Sequence, residues 1–425
     1  MVSSVYDNAF YFTDEEMLAK GVNVNVQSLV ERPHIYILGR CKSSEIEQIA
    51  YVETRAECLK ELSVMLKTQN GVEVEDVMRF FHGDGPEQQL EAGEKKDGYA
   101  GCVTCSADSR KYFNIPLNFR NNCLSLQDRV DIVQTGPAGN SFKNGGLKPF
   151  QGLTVRELTE ECIARGLPAH GDKSEMQHHL SSALGGIQRL PSVLLLPEKP
   201  SLQDLNLSFY EILPTEPLHD VKEHIKNTLE ELSKHLTKDE KLHFTSVYDT
   251  IFGEKDKIRG TDYRRGCILI SKYMRGKCRD SVQRILDSLV EISRLSYAGA
   301  LKRTPRSILR FHNITFLHAM WCKMLIGKTP KALTQRTFYG RYWHSLTCHA
   351  PLVLRIVSLS SIHTEEEERS FSTVNSIASR TTSRRHDEII EPTLIRMQAE
   401  QQYKDQDVGS AYQSSFSKQN SDISK

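Results

Sequence analysis

The sequence lacks the features of membrane-embedded and secreted proteins. No apolar run approaches the roughly eighteen residues of a membrane span, and the stretch at 191–200, PSVLLLPEKP, is far too short. The first residues, MVSSVYDNAFYFTDEE, do not show the basic-then-apolar pattern of a secretory signal. The chain also lacks net charge, because 55 basic and 54 acidic residues leave +1. We therefore expect no membrane association, and only local charge patches can indicate a charged partner.

Closely spaced cysteines are scarce. The ten cysteines are spread along the chain, and only Cys102 and Cys105 form a close C-x-x-C pair. This distribution excludes a disulfide framework and favours an intracellular, reducing compartment. In that setting a C-x-x-C pair indicates metal binding or redox chemistry.

What the chain does have is length and a globular composition. Its 425 residues, 39% apolar and 26% charged, are enough for two or three units with a substantial core. Residues 33–40 and 72–81 are typical of strands, and 44–68 of a helix, which is an α/β rhythm. A further helix is expected just after Pro86.

Composition shifts then divide the remainder of the chain. Mostly helical patterns are predicted from Leu218 to Met324 and from Arg341 to Arg380. The polar end of the chain is expected to be disordered. The predicted organisation is an N-terminal core part at 1–133, a linker at 134–152, a small module at 153–184, a mainly helical insertion at 185–335, a second core part at 336–403 and a tail at 404–425.

The module at 153–184 is predicted to be two short helices joined by a loop. Gly166 closes the first helix, and Lys173 opens the second. Lys173 and the N-terminus of its helix are expected to contact phosphate. The two apolar faces comprise Leu153, Val155, Leu158, Cys162 and Ile163 on one side, and Met176, Leu180 and Leu184 on the other.

These landmarks, LTVREL, RGL and GDKSEM in that order, resemble the SAP motif of chromatin and DNA-repair proteins. The resemblance covers about thirty residues and implies DNA binding through backbone and shape, with Arg165 and Lys173 as candidate contacts. The alternative is a helical hairpin that serves as a structural insert.

The C-x-x-C pair supplies two zinc ligands, and a closed site needs two more. Two histidine pairs have suitable spacing, His219 with His224 and His344 with His349, and spacing alone does not choose between them. Acidic residues do distinguish them. Asp84 lies eighteen residues before Cys102, and Glu368 lies nineteen residues after His349. A zinc ion joining the cysteines to His344 and His349 would bring both acids together, where they could hold Mg²⁺ or Mn²⁺.

The arrangement GD…C-x-x-C…H-x₄-H…E is similar to DDE transposases of the Transib group and to the related catalytic subunit of the V(D)J recombinase. The resemblance implies an α/β, RNase-H-like core interrupted by a large, mainly α-helical insertion that contains the SAP-like helix-loop-helix. It implies that Asp84 and Glu368 are the second and third catalytic acids. It also implies that the Cys and His pairs bind a structural zinc, and that the activity is metal-dependent DNA strand cleavage and transfer.

The sequence departs from that family at its first catalytic acid. Asp7 and Asp14 precede the strand at 33–40, but neither follows the family pattern. We therefore expect the chain alone to be inactive. The competing interpretation is a non-enzymatic, SAP-type DNA-binding or scaffold protein. In that case Asp84 caps a turn, and Glu368 belongs to a solvated acidic helix start at 365–368.

Local charge supports a nucleic-acid partner. Residues 255–310 contain fifteen basic and five acidic residues. Solvated helix faces are the alternative explanation. The expected partner is DNA, the expected compartment is the nucleus, and a homodimer is compatible with the pattern. The candidate DNA contacts outside the SAP-like module are Arg264, Arg265, Arg275, Lys277, Arg384 and Arg385.

Overall fold

The structure is a computed structural model, which describes only part of the chain. The described residues are 2–5, 34–38, 83, 85–94, 102–105, 107, 112–114, 125–137, 153–184, 187, 215–253, 258–299, 302–327, 337–380, 392–397 and 399. The predicted helix at 44–68, the predicted strand at 72–81 and the tail at 404–425 lie outside them.

The expectation of an α/β, RNase-H-like core is wrong for the described residues, which are 73% helical. Their two strands, β1 (Val2–Val5) and β2 (His34–Leu38), pair only with each other, antiparallel. The strand expected at 33–40 is confirmed, but two strands do not make the sheet that such a core needs. The expected core followed from a resemblance carried by a few chemically distinctive positions, which do not constrain the topology between them.

The chain divides into two units, one of residues 1–47 with 365–425 and one of residues 48–364. The first unit contains β1, β2 and the last long helix, α12 (Glu365–Arg380). The second unit begins, among described residues, with α1 (Gly85–Glu91) and α2 (Leu126–Gln134). The helix expected after Pro86 is therefore confirmed.

Five longer helices form the main body of the second unit, and they confirm the helices predicted from Leu218 to Met324. Their apolar residues recur at three- and four-residue steps, so each buries one stripe in a shared core. These helices are α5 (Pro217–Leu232), α6 (Lys238–Phe252), α7 (Gly260–Met274), α8 (Asp280–Ser296) and α9 (Pro305–Ile326).

The helical stretch expected from Arg341 is also confirmed. It starts with α10 (Arg341–His344), continues through a π-helical turn at Ser345–His349 and resumes as α11 (Ala350–Val353). A 3₁₀ turn at Leu359–Ile362 follows. Helix α5 packs against α10 and the π turn, so it supports this segment. No helix in the described part of the chain combines the length and apolar character that crossing a membrane requires.

The module at 153–184 is the predicted hairpin, with α3 (Val155–Ala164) and α4 (Lys173–Ala183). Both helices start with a capping box, at Thr154 and Asp172. Gly166 closes α3 at φ +66°, a left-handed conformation that favours glycine, and Leu167 N donates to Cys162 O at 2.8 Å.

The hairpin has a small core of its own, which consists of Leu158, Cys162, Met176, Leu180 and Leu184. The assignment of Val155 and Ile163 to an apolar face of the hairpin is not reflected in burial, because they are 53% and 65% exposed. The buried stripe of α3 follows the four-residue step from Leu158 to Cys162, and Ile163 lies about 100° further round the helix.

Candidate metal centre

The two cysteines lie in a tight turn whose backbone bonds hold both thiols on one side. Cys102 N donates to Ala107 O at 3.0 Å, and Thr104 N donates to Cys102 Sγ at 3.4 Å. Both cysteines are buried, each with 7% of its surface exposed. A turn with an N–H directed at sulfur suits a thiolate that binds a metal.

The two histidines are brought together by the π-helical turn. In an α-helix, residues five apart lie about 140° apart around the axis, so their side chains would diverge. Here Ala350 N donates to Ser345 O, an i to i−5 bond that widens the turn. His344 and His349 thereby face the same point, and both are buried.

All four donor atoms converge. Cys102 Sγ lies 3.1 Å from His349 Nε2, and Cys105 Sγ lies 3.3 Å from His344 Nε2. The two Nε2 atoms are 3.0 Å apart, and all four atoms lie within 4.8 Å of one another. Around a tetrahedral zinc such atoms would be about 3.3–3.8 Å apart. The set therefore fits a metal ion such as zinc, and it is the only group of this kind among the residues that the structure describes.

The electrostatics suit a cation. Burial opposes ionisation of Cys102, but a hydrogen bond from Cys105 and the adjacent His349 and His344 hold the pKa of its thiol well below the usual value. Burial likewise opposes charge on His344, yet the neighbouring thiolates raise its pKa. Thiolates facing imidazoles in a buried site are the arrangement in which a metal ion replaces the shared protons.

The alternative histidine pair is used elsewhere. His219 Nδ1 lies 2.7 Å from Glu216 Oε2 at the start of α5. His224 Nε2 lies 2.8 Å from His318 Nε2 in the helical core. The structure thus brings His344 and His349, and not His219 and His224, to the cysteine pair.

A buried arginine supports the cysteine turn from behind. Arg129 of α2 donates to the carbonyl of Val103, between the two cysteines, and to Ala92 O at 3.3 Å. Its guanidinium also pairs with Glu94 Oε1 at 3.4 Å, and both side chains are fully buried. Burial is the main cause that raises the pKa of Glu94, to about 7, although Arg129 lowers it. No sequence pattern predicts this role, because a single arginine in a polar stretch resembles a surface residue.

Two further residues around the centre were not expected. Tyr112 stacks on His344 with ring centroids 4.2 Å apart and planes 7° apart. Cys348 adds a third buried thiol, whose pKa burial raises but His344 and His349 lower on balance. The sequence feature that points to Cys348 is its position directly before His349, in TCH at 347–349. Because Cys348 has no close cysteine partner in sequence, no metal-binding role is predicted for it.

Neither of the two acidic side chains, Asp84 and Glu368, lies among the described residues. Asp84 lies outside the described residues, but its neighbour Gly85 is packed under the Arg341 guanidinium, and Arg341 Nη2 donates to Gln88 Oε1 at 2.7 Å. The start of α1 therefore contacts the residue three positions before His344. Glu368 lies in α12, in the other unit, and its side chain is outside the described part.

The candidate DNA contacts of the hairpin have different environments. Arg165 is used within the protein, because its guanidinium donates to Ile132 O at 2.6 Å and pairs with Glu161 at 2.8 Å. Lys173 is exposed at the first residue of α4. Asp172 already caps that helix by accepting from Glu175 N at 2.8 Å, so a carboxylate occupies the position where phosphate was expected.

The basic candidates of the helical body lie on α7 and the turn after it. Arg265 is exposed, and Arg264 lies 3.4 Å above the Tyr297 ring. Arg275 pairs loosely with Asp287 at 3.4 Å, while its side chain stays 69% exposed. Lys277 is exposed, with Nζ 3.3 Å from the centre of a tyrosine ring. Arg384 and Arg385 lie outside the described residues.

Comparison with known proteins adds no relative. No protein-family model matches the chain, and no curated protein matches it. Its function must therefore be argued from the geometry of its own residues.

Proposed function

We propose that this protein binds DNA on a helical scaffold held together by a structural zinc ion. The observation that carries the DNA proposal is the exposed basic surface of α7 and the following turn. Arg265 and Lys277 are exposed there, and Arg275 keeps most of its side chain in solvent. Basic side chains gathered on one surface are the electrostatic footprint of phosphate binding. The SAP-like hairpin adds the exposed Lys173, and a DNA-binding role implies nuclear localisation.

The zinc part of the proposal depends on the chemistry of the four donors. Two thiols and two imidazoles form a complete tetrahedral set in a buried position, which is typical of structural rather than catalytic zinc. A catalytic site would keep one position for water or substrate. The metal therefore joins the cysteine turn to the helix at His344, which are 239 residues apart in sequence.

Descent from a Transib-type transposase is a second proposal. It is supported by the four metal-binding residues that the resemblance names as one set, because these side chains converge. The ancestral chemistry would be Mg²⁺- or Mn²⁺-dependent strand cleavage and transfer, with Asp84 and Glu368 as metal-binding acids. We expect the chain alone to be inactive. Robust Mg²⁺-dependent cleavage by the purified chain, lost in Asp84→Ala, would contradict this expectation.

The alternative is a non-enzymatic scaffold in which the hairpin alone contacts DNA. The closed, four-donor metal site favours a protein without zinc-based catalysis, and both proposals share that feature. They differ in which surface binds DNA. Substitution of Lys173 would abolish binding in the scaffold case, whereas loss of Arg265 and Lys277 would weaken binding in ours.

The test is binding of a labelled duplex of about 30 base pairs at about 50 to 200 mM salt. We expect Arg265→Ala/Lys277→Ala to weaken binding and to reduce the slope of log K against log salt by about 0.9 for each lost phosphate contact. Lys234→Ala is the matched control, because Lys234 is a half-exposed lysine of the same unit that pairs with Glu231. Unchanged affinity and slope in the double variant would refute the proposal.

A further inference from the structure

Helix α9 is apolar on two opposite faces. One face packs into the helical core, where its residues are almost completely buried. The buried residues of this face are Phe311, Thr315, His318, Ala319, Cys322 and Ile326. A helix that buries one stripe normally turns polar residues to solvent on the other side, but α9 does not.

The opposite face is an exposed apolar stripe, which consists of Leu309, Phe316, Leu317, Met320 and Met324. These residues are 62%, 41%, 41%, 36% and 79% exposed, respectively. The other four residues follow Leu309 by 7, 8, 11 and 15 positions, which places all five within an arc of about 100° around the helix axis. The stripe runs for about 22 Å along the helix. An exposed apolar stripe of this length marks an interaction site.

The spacing of the apolar residues in the stripe suits packing against another helix. Apolar residues at steps of three, four and seven are the anchors by which helices pack side by side. Asn313 lies among them and is exposed, a polar position of the kind that sets register between paired helices. Two methionines give the surface an adaptable side-chain shape.

The charged residues of α9 indicate the kind of partner that the stripe would bind. Pro305–Ile326 contains no Asp or Glu, while Arg306, Arg310 and Lys323 are basic. Arg310 Nε already pairs with Glu291 Oε1 of α8 at 2.6 Å, so Arg306 and Lys323 carry the positive charge that a partner would meet. The charged residues of α9 itself would meet only like charges in a second copy, in either orientation, so pairing of two α9 helices is opposed. Nucleic acid would satisfy the basic residues but not the apolar ones.

We propose that the exposed stripe of α9 docks an acidic amphipathic helix of a partner protein. The apolar residues of that helix would cover the stripe, and its carboxylates would face Arg306 and Lys323. This surface is distinct from the basic surface of α7 and the turn after it. The protein would thus bind DNA and a protein partner through different helices.

The test uses the full chain and a fluorescent peptide of about 20 residues, long enough to form a helix, with Leu at heptad positions a and d and Glu at e and g. A matched peptide carries Lys in place of Glu. We expect the acidic peptide to bind and the basic peptide not to bind. Leu309→Ser/Leu317→Ser/Met324→Ser should weaken binding by about tenfold or more. These residues are all more than a third exposed, so the fold should tolerate the change.

The control variant is Ile163→Ser/Leu242→Ser, which removes apolar residues that are 65% and 71% exposed away from the stripe. It should bind the acidic peptide normally. Arg306→Glu/Lys323→Glu should shift the preference toward the basic peptide. The proposal is overturned if the acidic peptide fails to bind or if the control loses binding equally. It is also overturned if light scattering shows a dimer that the stripe variant dissolves, or if duplex DNA displaces the peptide.

Discussion

Removal of one zinc ligand should reveal how much of the stability depends on the metal. In His349→Ala, Cys102 Sγ loses its neighbour at 3.1 Å, and a four-donor site becomes a three-donor site. A metal that binds only the folded state at about 1,000 times its Kd contributes about 4 kcal/mol. That is a large part of the roughly 5–15 kcal/mol that stabilises a typical domain. For a unit of residues 48–364, it corresponds to a fall in Tm of about 6 °C.

The assay combines metal content with thermal unfolding. Wild-type protein should contain one zinc per chain, and a chelator should lower its Tm by the amount given above. His349→Ala should contain little zinc, and its Tm should no longer respond to the chelator. His312→Ala is the control, because His312 is an exposed histidine of α9 outside the site. A folded wild-type chain without zinc, or full zinc content in His349→Ala, would refute the reasoning.

Three further predictions concern the surrounding core. Arg129→Met should cost about 3–5 kcal/mol in urea unfolding, because it leaves the Glu94 carboxylate buried without its partner; no loss would contradict it. Burial lowers the pKa of His224 from 6.5 to about 3. At pH values between these two, the unfolded chain therefore binds one more proton at this residue than the folded chain. Protonation of His224 should therefore remove about 1.4 kcal/mol of stability per pH unit as pH drops through that window. Burial also lowers the pKa of the neighbouring His318, so His224→Gln should reduce the acid dependence of urea unfolding without abolishing it, and an unchanged slope would contradict the prediction. Gly266→Ala should lower the free energy of unfolding by about 1–3 kcal/mol, because the added Cβ would lie 2.4 Å from Phe252; an unchanged urea midpoint would oppose it.

The candidate metal ligands could be predicted because their spacing is rare. Cys102 and Cys105 are the only close cysteine pair among ten, which limits the remaining ligands to two histidine pairs. The choice of His344 and His349 agrees with the structure. The π turn that makes this choice work could not be predicted, because a single i to i−5 bond leaves no compositional mark.

The fold class was the main failure, and its cause is physical. A few chemically distinctive positions do not constrain the topology between them, so a resemblance carried by six residues was extended to an α/β core. The helices from Leu218 onward were predictable because each repeats its apolar stripe over three or more turns. The apolar run at 33–40 is confirmed as a strand, but it pairs with one neighbour only.

Arginines were the hardest residues to interpret from sequence. Arg165 was expected to contact DNA, yet its guanidinium binds carbonyls of α2. Arg129 attracted no prediction, although it is completely buried behind the cysteine turn. An isolated arginine has the same sequence signature on a surface and in a buried ion pair, and only tertiary packing separates the two.

These two arginines have a joint consequence for affinity. Arg165 links the hairpin to α2, and Arg129 links α2 to the cysteine turn, so side-chain contacts connect the hairpin to the rest of its unit. When two binding modules are joined by a flexible linker, linker length sets their effective concentration. Here contacts of Arg165 and Arg129, rather than linker length, set the spacing between the hairpin and the cysteine turn. A duplex that contacts both would gain full avidity only where its phosphates match that one spacing, so avidity itself would select among DNA shapes.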